Sequence, residues 1–255
     1  MRASKAGLER APALDGHCAF FLDLDGTLLD ITDHPHHVTV DEDLLRLLKG
    51  LGRAAEGALA IISGRPAADI DRLLANPGFC VAGQHGAERR DFSGTMHRHA
   101  VPLAALDEAR RRFKAMAAKH PALVLEDKGV NLALHFRKAP ALRAEVQDAA
   151  RHLAAELGGA FEVQLGKMVV ELRPTGKDKG VAIAEFLDEH PFKGRTPVFV
   201  GDDLTDEFGF ALINRVGGHS VKVGEGESGA RWRLPDSGAV RSWLAAFVER
   251  SGSGP

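Results

Sequence analysis

Phe20-Phe21-Leu22-Asp23-Leu24-Asp25-Gly26-Thr27-Leu28-Leu29 is an apolar run of strand character that stops at two carboxylates one residue apart. Side chains on a strand alternate faces, so the pattern predicts that Asp23 and Asp25 point the same way while Leu24 returns to the core. Gly26 lets the chain turn sharply without a Cβ penalty. In open α/β sheets, sites lie in the crevice outside the carboxyl ends of the strands, which is where this run ends. Two close carboxylates repel and need a shared proton, a cation or a metal between them. Mg²⁺ suits them, being a hard ion that takes one or two carboxylates and keeps its waters for a phosphate. An EF-hand calcium loop would need Glu at its twelfth position; counted from Asp23 that residue is His34, so the calcium reading fails.

The whole chain narrows the choice further. Its 255 residues allow two domains or one elaborated domain, and 44% apolar with 27% charged residues is ordinary globular composition. A formal net charge of -2 leaves no electrostatic footprint for nucleic acid or an anionic membrane, so an anionic substrate must be held by a local basic cluster. Cys18 and Cys80 are too few for a disulfide framework and sit in apolar settings that fit reduced thiols. No apolar run is long enough to span a bilayer, and the basic first residues lack the apolar core of a signal peptide. The expectation is a cytoplasmic monomer acting on a small molecule.

Taken in order, the chain reads as β-loop-α-β-α-β up to residue 90, which predicts a parallel sheet. His34, His36 and His37 surround Pro35 without a matching His or Cys pair at ligand spacing, so they read as a polar loop and not a zinc site. Thr39-Val40-Asp41-Glu42 has the form of a capping box for the Leu-rich helix that follows. A strand over 57–62 ends at Ser63-Gly64-Arg65-Pro66, and Pro66 suits the first position of the next helix. Residues 89–99 alternate about Ser93-Gly94 as a hairpin. Helices over 103–119 and 141–157 and strands near 122–126, 131–137, 161–164 and 168–172 then form an α+β insert. The parallel pattern resumes near Asp178. A second apolar strand, 197–200, stops at Gly201-Asp202-Asp203-Leu204-Thr205-Asp206-Glu207. Gly224-Glu225-Gly226-Glu227-Ser228-Gly229 has the spacing of a dinucleotide fingerprint, but two Glu stand where a pyrophosphate would lie and no clean helix follows, so it reads as a solvated loop.

Four segment ends thus carry polar chemistry, and together they specify phosphoryl transfer. A carboxylate can attack phosphorus and split one hard step into two. The charge on the transferring group must be met by a cation, a Lys and hydroxyl or backbone donors. The expected roles are Asp23 as nucleophile, Asp25 as acid and base in turn, and a metal between Asp23, the main-chain carbonyl of Asp25, and Asp202. Lys179 is preferred to Lys177 as the phosphate cation because it opens a helix and has a fixed base. Ser63 stands at a helix N-terminus suited to an anion. Asp203 and Asp206 are expected to orient Lys179 and metal waters, since Mg²⁺ needs few protein carboxylates.

Asp23-Leu24-Asp25-Gly26-Thr27, Ser63, Lys179 and Gly201-Asp202-Asp203-x-x-Asp206 resemble, in order, the four motifs of the haloacid dehalogenase-like phosphatases. Further stretches, Ile62-Ser63-Gly64-Arg65, His85-Gly86-Ala87-Glu88, Ala133-Leu134-His135-Phe136-Arg137 and Val170-Glu171-Leu172-Arg173-Pro174, are similar to the trehalose-phosphatase family within that superfamily. The resemblance implies an α/β fold with a Rossmann-like core and parallel sheet over 17–90 and 175–250. It implies a smaller α+β cap over 91–174; the basic stretch 1–16 and the Gly/Ser-rich 251–255 read from their composition as flexible tails. The resemblance also implies Mg²⁺-dependent hydrolysis of a disaccharide phosphate, trehalose 6-phosphate, through an aspartyl-phosphate. Thr27 and Arg65 join the catalytic set on the same ground, and His85, Glu88, Glu126, Lys128, His135 and Glu171 become the substrate contacts. Sugar hydroxyls want carboxylate acceptors and charged donors, which fits that set. Sucrose phosphate or mannosyl-phosphoglycerate as substrate, or a phosphate- and metal-binding sensor without turnover, are the alternatives.

Overall fold

The computed structural model describes residues 11–30, 39–75, 78–166 and 168–252. The His34, His36 and His37 loop lies outside them, as do residues 1–10 and 253–255 of the expected tails. The chain divides into two compact units, Met1–His97 with Asp178–Pro255, and Arg98–Lys177.

The first unit is built on strands β1 (Cys18–Leu22), β2 (Leu59–Ile62), β3 (Cys80–Gly83), β4 (Glu88–Arg90), β5 (Met96–Arg98), β10 (Thr196–Gly201), β11 (His219–Val223) and β12 (Trp232–Leu234). They form one eight-stranded sheet in the order β12-β11-β10-β1-β2-β3-β4-β5. All pairs from β12 to β3 are parallel, and β4 turns back antiparallel on β3. Continuous burial of Cys-Ala-Phe-Phe-Leu in β1 is what a central parallel strand covered on both faces requires. Helices α1 (Glu42–Ala54), α2 (Ala67–Leu73), α5 (Lys179–Leu187), α6 (Glu207–Arg215) and α7 (Ser237–Gly252) belong to this unit. Phe21, Phe186 and Phe192 meet in its core with ring centroids 5.0–6.1 Å apart, and Phe199 packs on Phe210 at 5.3 Å. Each such buried ring contributes roughly 1.5–3 kcal/mol. The strand order reverses between β1 and β10, so the ends of these two neighbours flank the switch point where α/β sheets bind ligands.

Several local expectations shift. The cap of α1 is Asp41 and not Thr39: its carboxylate accepts from the Leu44 amide at 2.7 Å and pairs with Arg241 of α7 at 2.5 Å, two bonds from one short acceptor. Residues 11–16, expected in a tail, reach the core, with Leu14 buried and the Trp243 indole donating to the Pro12 carbonyl at 3.1 Å. Residues 251 and 252 complete α7. β12 escaped notice because three residues are too short for a period-2 signal. The Gly224–Gly229 stretch is a loop, as expected, pinned by Arg233 to the Gly224 and Gly226 carbonyls. Cys18 and Cys80 are free and buried; burial pushes their thiols up to about 11 and about 12.

The second unit holds β6 (Val124–Asp127), β7 (Leu132–His135), β8 (Phe161–Gly166) and β9 (Val169–Pro174) with α3 (Leu103–Lys119) and α4 (Arg143–Glu156). Its antiparallel sheet runs β6-β7-β9-β8. One face supplies Leu132, Leu134, Val170 and Leu172 to a core closed by Phe113, Val146, Ala150 and Leu153 of the helices. A sheet with one covered face alternates, and the other face here is polar.

Candidate active site

The β1 ladder continues one residue past the strand, where the Asp23 amide donates to the Val200 carbonyl at 3.0 Å. This fixes Asp23 beside the end of β10, and Asp202 leaves that strand on the neighbouring track. Gly26 makes their approach possible: its φ is +80°, and a Cβ there would lie 2.2 Å from Asp202 Oδ2. The Thr27 hydroxyl sits 3.4 Å from both Asp23 Oδ2 and Asp202 Oδ1.

Lys179 is the first residue of α5, whose amides are capped by Asp178, which accepts from the Val181 amide at 2.8 Å. Only 3% exposed, Lys179 donates through Nζ to Asp23 Oδ1 at 2.9 Å and to Asp206 Oδ1 at 2.7 Å. Asp206 is wholly buried, and its Oδ2 accepts from the amides of Asp202 and Asp203 at 2.9 and 3.0 Å. Asp203 caps the turn that begins at Leu204, accepting from the Thr205 amide and hydroxyl at 2.7 and 2.6 Å. Oxygens of Asp23, Asp202 and Asp206 lie within 4.8 Å of one another. Asp206 has both oxygens committed to donors, so within this trio it organises, while Asp23 and Asp202 keep lone pairs to offer.

Charge in this cluster is out of balance. Burial pushes Asp23 well above the carboxylate range, and Asp206, Asp202 and Asp203 add repulsion that Lys179 only partly offsets. Burial, then Asp206 and Asp203, pushes Asp202 up to about 6. Burial raises Asp206 too. Asp203 goes the other way, because Lys179 and the Thr205 bonds outweigh its burial. Burial would lower Lys179, but Asp206 and Asp23 hold its ammonium well above its ordinary value. Hard oxygen donors with surplus negative charge fit a divalent cation.

The Asp25 side chain is not one of this trio. It is 39% exposed and held by both arms of Arg65, Nε to Oδ2 and Nη2 to Oδ1, each at 2.6 Å. β1 ends at Leu22, Leu24 beyond it is fully buried, and Asp25 forms an isolated bridge to Leu29. Ser63, buried at the end of β2, accepts from the Arg65 amide at 3.2 Å, and its own carbonyl accepts from the His85 amide at 3.0 Å. Gln84 and His85 both adopt left-handed φ, 48° and 57°, which brings the His85 ring against Gly64, where a Cβ would stand 2.6 Å from Nε2. Glu88 Oε1 accepts from the Ala67 amide at 2.5 Å and so caps α2, whose cap residue Pro66 offers no side-chain oxygen.

In the second unit the expected contact residues pair among themselves. Glu126 Oε2 meets His135 Nε2 at 2.9 Å, and this bond, ahead of burial, lowers the carboxyl. Lys128 Nζ donates to Glu171 Oε1 at 2.6 Å. Sequence reasoning quoted Arg173 within a family stretch but gave it no role; it pairs with Glu162 at 3.0 Å on the same sheet. Sequence reasoning overlooked Lys222, a buried lysine whose ammonium donates to the Asp202 carbonyl and to the Val223 carbonyl. A single Lys inside the apolar run Ser-Val-Lys-Val was the available signal.

A parallel sheet with acids at the reversal of strand order, joined to an α+β unit, defines the class. The structure superposes with a TM-score of 0.65 and 17% identity on a haloacid dehalogenase-like hydrolase from Bacteroides thetaiotaomicron, covering 90% of this chain and 98% of that one. It superposes with a TM-score of 0.78 and 24% identity on the C-terminal domain of the C. albicans trehalose-6-phosphate phosphatase, covering 94% and 99%. These likenesses show the haloacid dehalogenase-like fold. Residues 21–237 match the trehalose-phosphatase family pattern, and the chain is 46% identical over 240 residues to the trehalose-6-phosphate phosphatase of Escherichia coli K12, covering 93% of this chain and 89% of that protein. The chain belongs to the trehalose-phosphatase family, whose members are phosphoric monoester hydrolases. Among the described residues, no helix is long and apolar enough to cross a membrane.

Proposed function

We propose that this chain hydrolyses trehalose 6-phosphate to trehalose and phosphate, with Asp23 as nucleophile and Mg²⁺ as cofactor. The observation that carries this reading is the Lys179 ammonium bound to Asp23 Oδ1, with Thr27 between Asp23 and Asp202. Lys179 holds one oxygen of Asp23, so the carboxylate is oriented and its other oxygen, Oδ2, can reach phosphorus. Mg²⁺ would be held by Asp23, Asp202 and the Asp25 carbonyl, and supplies Lewis-acid stabilisation of the transferring group. Asp206 keeps Lys179 and the Asp202 amide in register throughout.

Attack forms the Asp23 Oδ2–phosphorus bond and breaks the bond from phosphorus to the sugar oxygen, which needs a proton. Asp25 provides it, then takes a proton from the water whose oxygen bonds to phosphorus as the Asp23 Oδ2–phosphorus bond breaks and inorganic phosphate leaves. Both Asp25 oxygens are engaged by Arg65, so this role requires the guanidinium to exchange carboxylate for the substrate phosphate, an equally good bidentate partner. Ser63 and the amides after it add donors for the phosphate. The second unit, Arg98–Lys177 and not the expected 91–174, acts as the cap that takes the sugar, through Glu126, Lys128, His135 and Glu171.

The test is phosphate release from a panel of sugar phosphates with and without EDTA. Trehalose 6-phosphate should be the best substrate, and chelation should abolish turnover. Faster release from sucrose 6-phosphate would transfer the site to another substrate, and no release from any would leave a binding protein.

A further inference from the structure

The polar face of the second unit's sheet carries, among the described residues, a buried amide oxygen that the pairs named above do not use. Cross-strand register places Glu126 opposite Ala133, Ala133 opposite Glu171, and Glu171 opposite Gln164. Directly opposed residues share a face, so Glu126, Ala133, Glu171 and Gln164 form a row across all four strands. Ala133, though buried, is absent from the apolar core of this unit, as its place in a polar row requires. Along the row and beside it, Glu126 has His135, Glu171 has Lys128, and Glu162, two residues from Gln164 on β8, has Arg173. The side-chain oxygen of Gln164 is buried and has no hydrogen-bond partner among the described residues.

A buried acceptor without a donor is costly, and an apolar residue of the same shape would avoid that cost. The position therefore holds an amide against the interest of stability, beside two carboxylates and a lysine of the kind that bind sugar hydroxyls. We infer that Gln164 is a further specificity residue: its Oε1 accepts a hydrogen bond from a hydroxyl of the sugar, completing the row that Glu126 and Glu171 begin. This rests on the reading of the protein as a sugar phosphatase. Gln164 takes no part in bond breaking and should act on binding of the sugar alone.

The experiment compares wild type, Gln164→Leu and Gln164→Asn on the best sugar phosphate of the panel and on p-nitrophenyl phosphate, which has no sugar, with melting temperatures measured alongside. Leu removes the acceptor, and Asn keeps the chemistry but withdraws it by one methylene. Both variants should raise KM for the sugar phosphate roughly three- to tenfold, as loss of one neutral hydrogen bond does, with kcat within about twofold of wild type. Neither should change kcat/KM for p-nitrophenyl phosphate, and Gln164→Leu should melt at or above the wild-type temperature. Unchanged KM in both variants, or equal losses on both substrates, would overturn the inference. The wild-type panel speaks separately to the substrate reading, because the variant-to-wild-type ratio is taken on whichever sugar phosphate is hydrolysed best.

Discussion

The two units handle charge in opposite ways. At the ends of β1 and β10, Asp23, Asp202, Asp203 and Asp206 crowd around Lys179, and burial leaves three of the four carboxyls raised. On the polar sheet face of the second unit, acids stand beside bases: Glu126 with His135, Glu171 with Lys128, Glu162 with Arg173. Imbalance in a buried cluster favours binding of a cation and suits bond breaking, where charge develops. Balanced pairs ask for no ion, and can exchange partners with hydroxyl groups at little electrostatic cost.

That contrast predicts different failures. The largest effect should come from Asp23→Asn, which removes the nucleophile while nearly preserving shape: kcat should fall by roughly 10⁴-fold or more with the fold intact by circular dichroism. Substantial turnover by this variant would place the nucleophile elsewhere. In the balanced region, Glu171→Gln leaves Lys128 without its carboxylate, and KM for the sugar phosphate should rise about 10- to 100-fold while kcat changes little. A fall in kcat equal to the Asp23→Asn effect would erase the distinction between the units. The smallest effect is on stability. A carboxyl raised on folding stabilises the native state where it is protonated, and that contribution disappears as pH rises through the folded value, here about 6 for Asp202. Metal-free protein should therefore melt roughly 3–8 °C lower at pH 7.5 than at pH 5, and saturating Mg²⁺ should remove the difference by binding the native state. Equal melting at both pH values without metal would contradict the charge imbalance.

The parts legible in the sequence are those where a regular pattern ends on a chemical group. Asp23 and Asp202 follow apolar strands, and Lys179 opens a helix, so their placement follows from periodicity and topology. The pairing of Asp25 with Arg65 joins residues 40 apart, which no local pattern in the sequence gives. The left-handed Gln84 and His85 leave no mark beyond the following Gly86, since backbone conformation of that kind is imposed by packing. Glu88 as the cap of α2 joins residues 21 apart, a contact that no local rule anticipates. Lys222 and Gln164 look like ordinary strand residues until cross-strand register shows what stands next to them. Long-range pairing, not local propensity, decides which polar residues a site contains.

The most direct measurement is chemical trapping of the phosphorylated enzyme during turnover of trehalose 6-phosphate. Acid quench followed by borohydride reduces an aspartyl-phosphate to homoserine, and peptide mass mapping locates the change. Conversion at Asp23, absent from Asp23→Asn and dependent on Mg²⁺, is the predicted result. Conversion at any other carboxylate, or none in an actively turning-over sample, would contradict the assignment of Asp23 as the group that takes the phosphoryl.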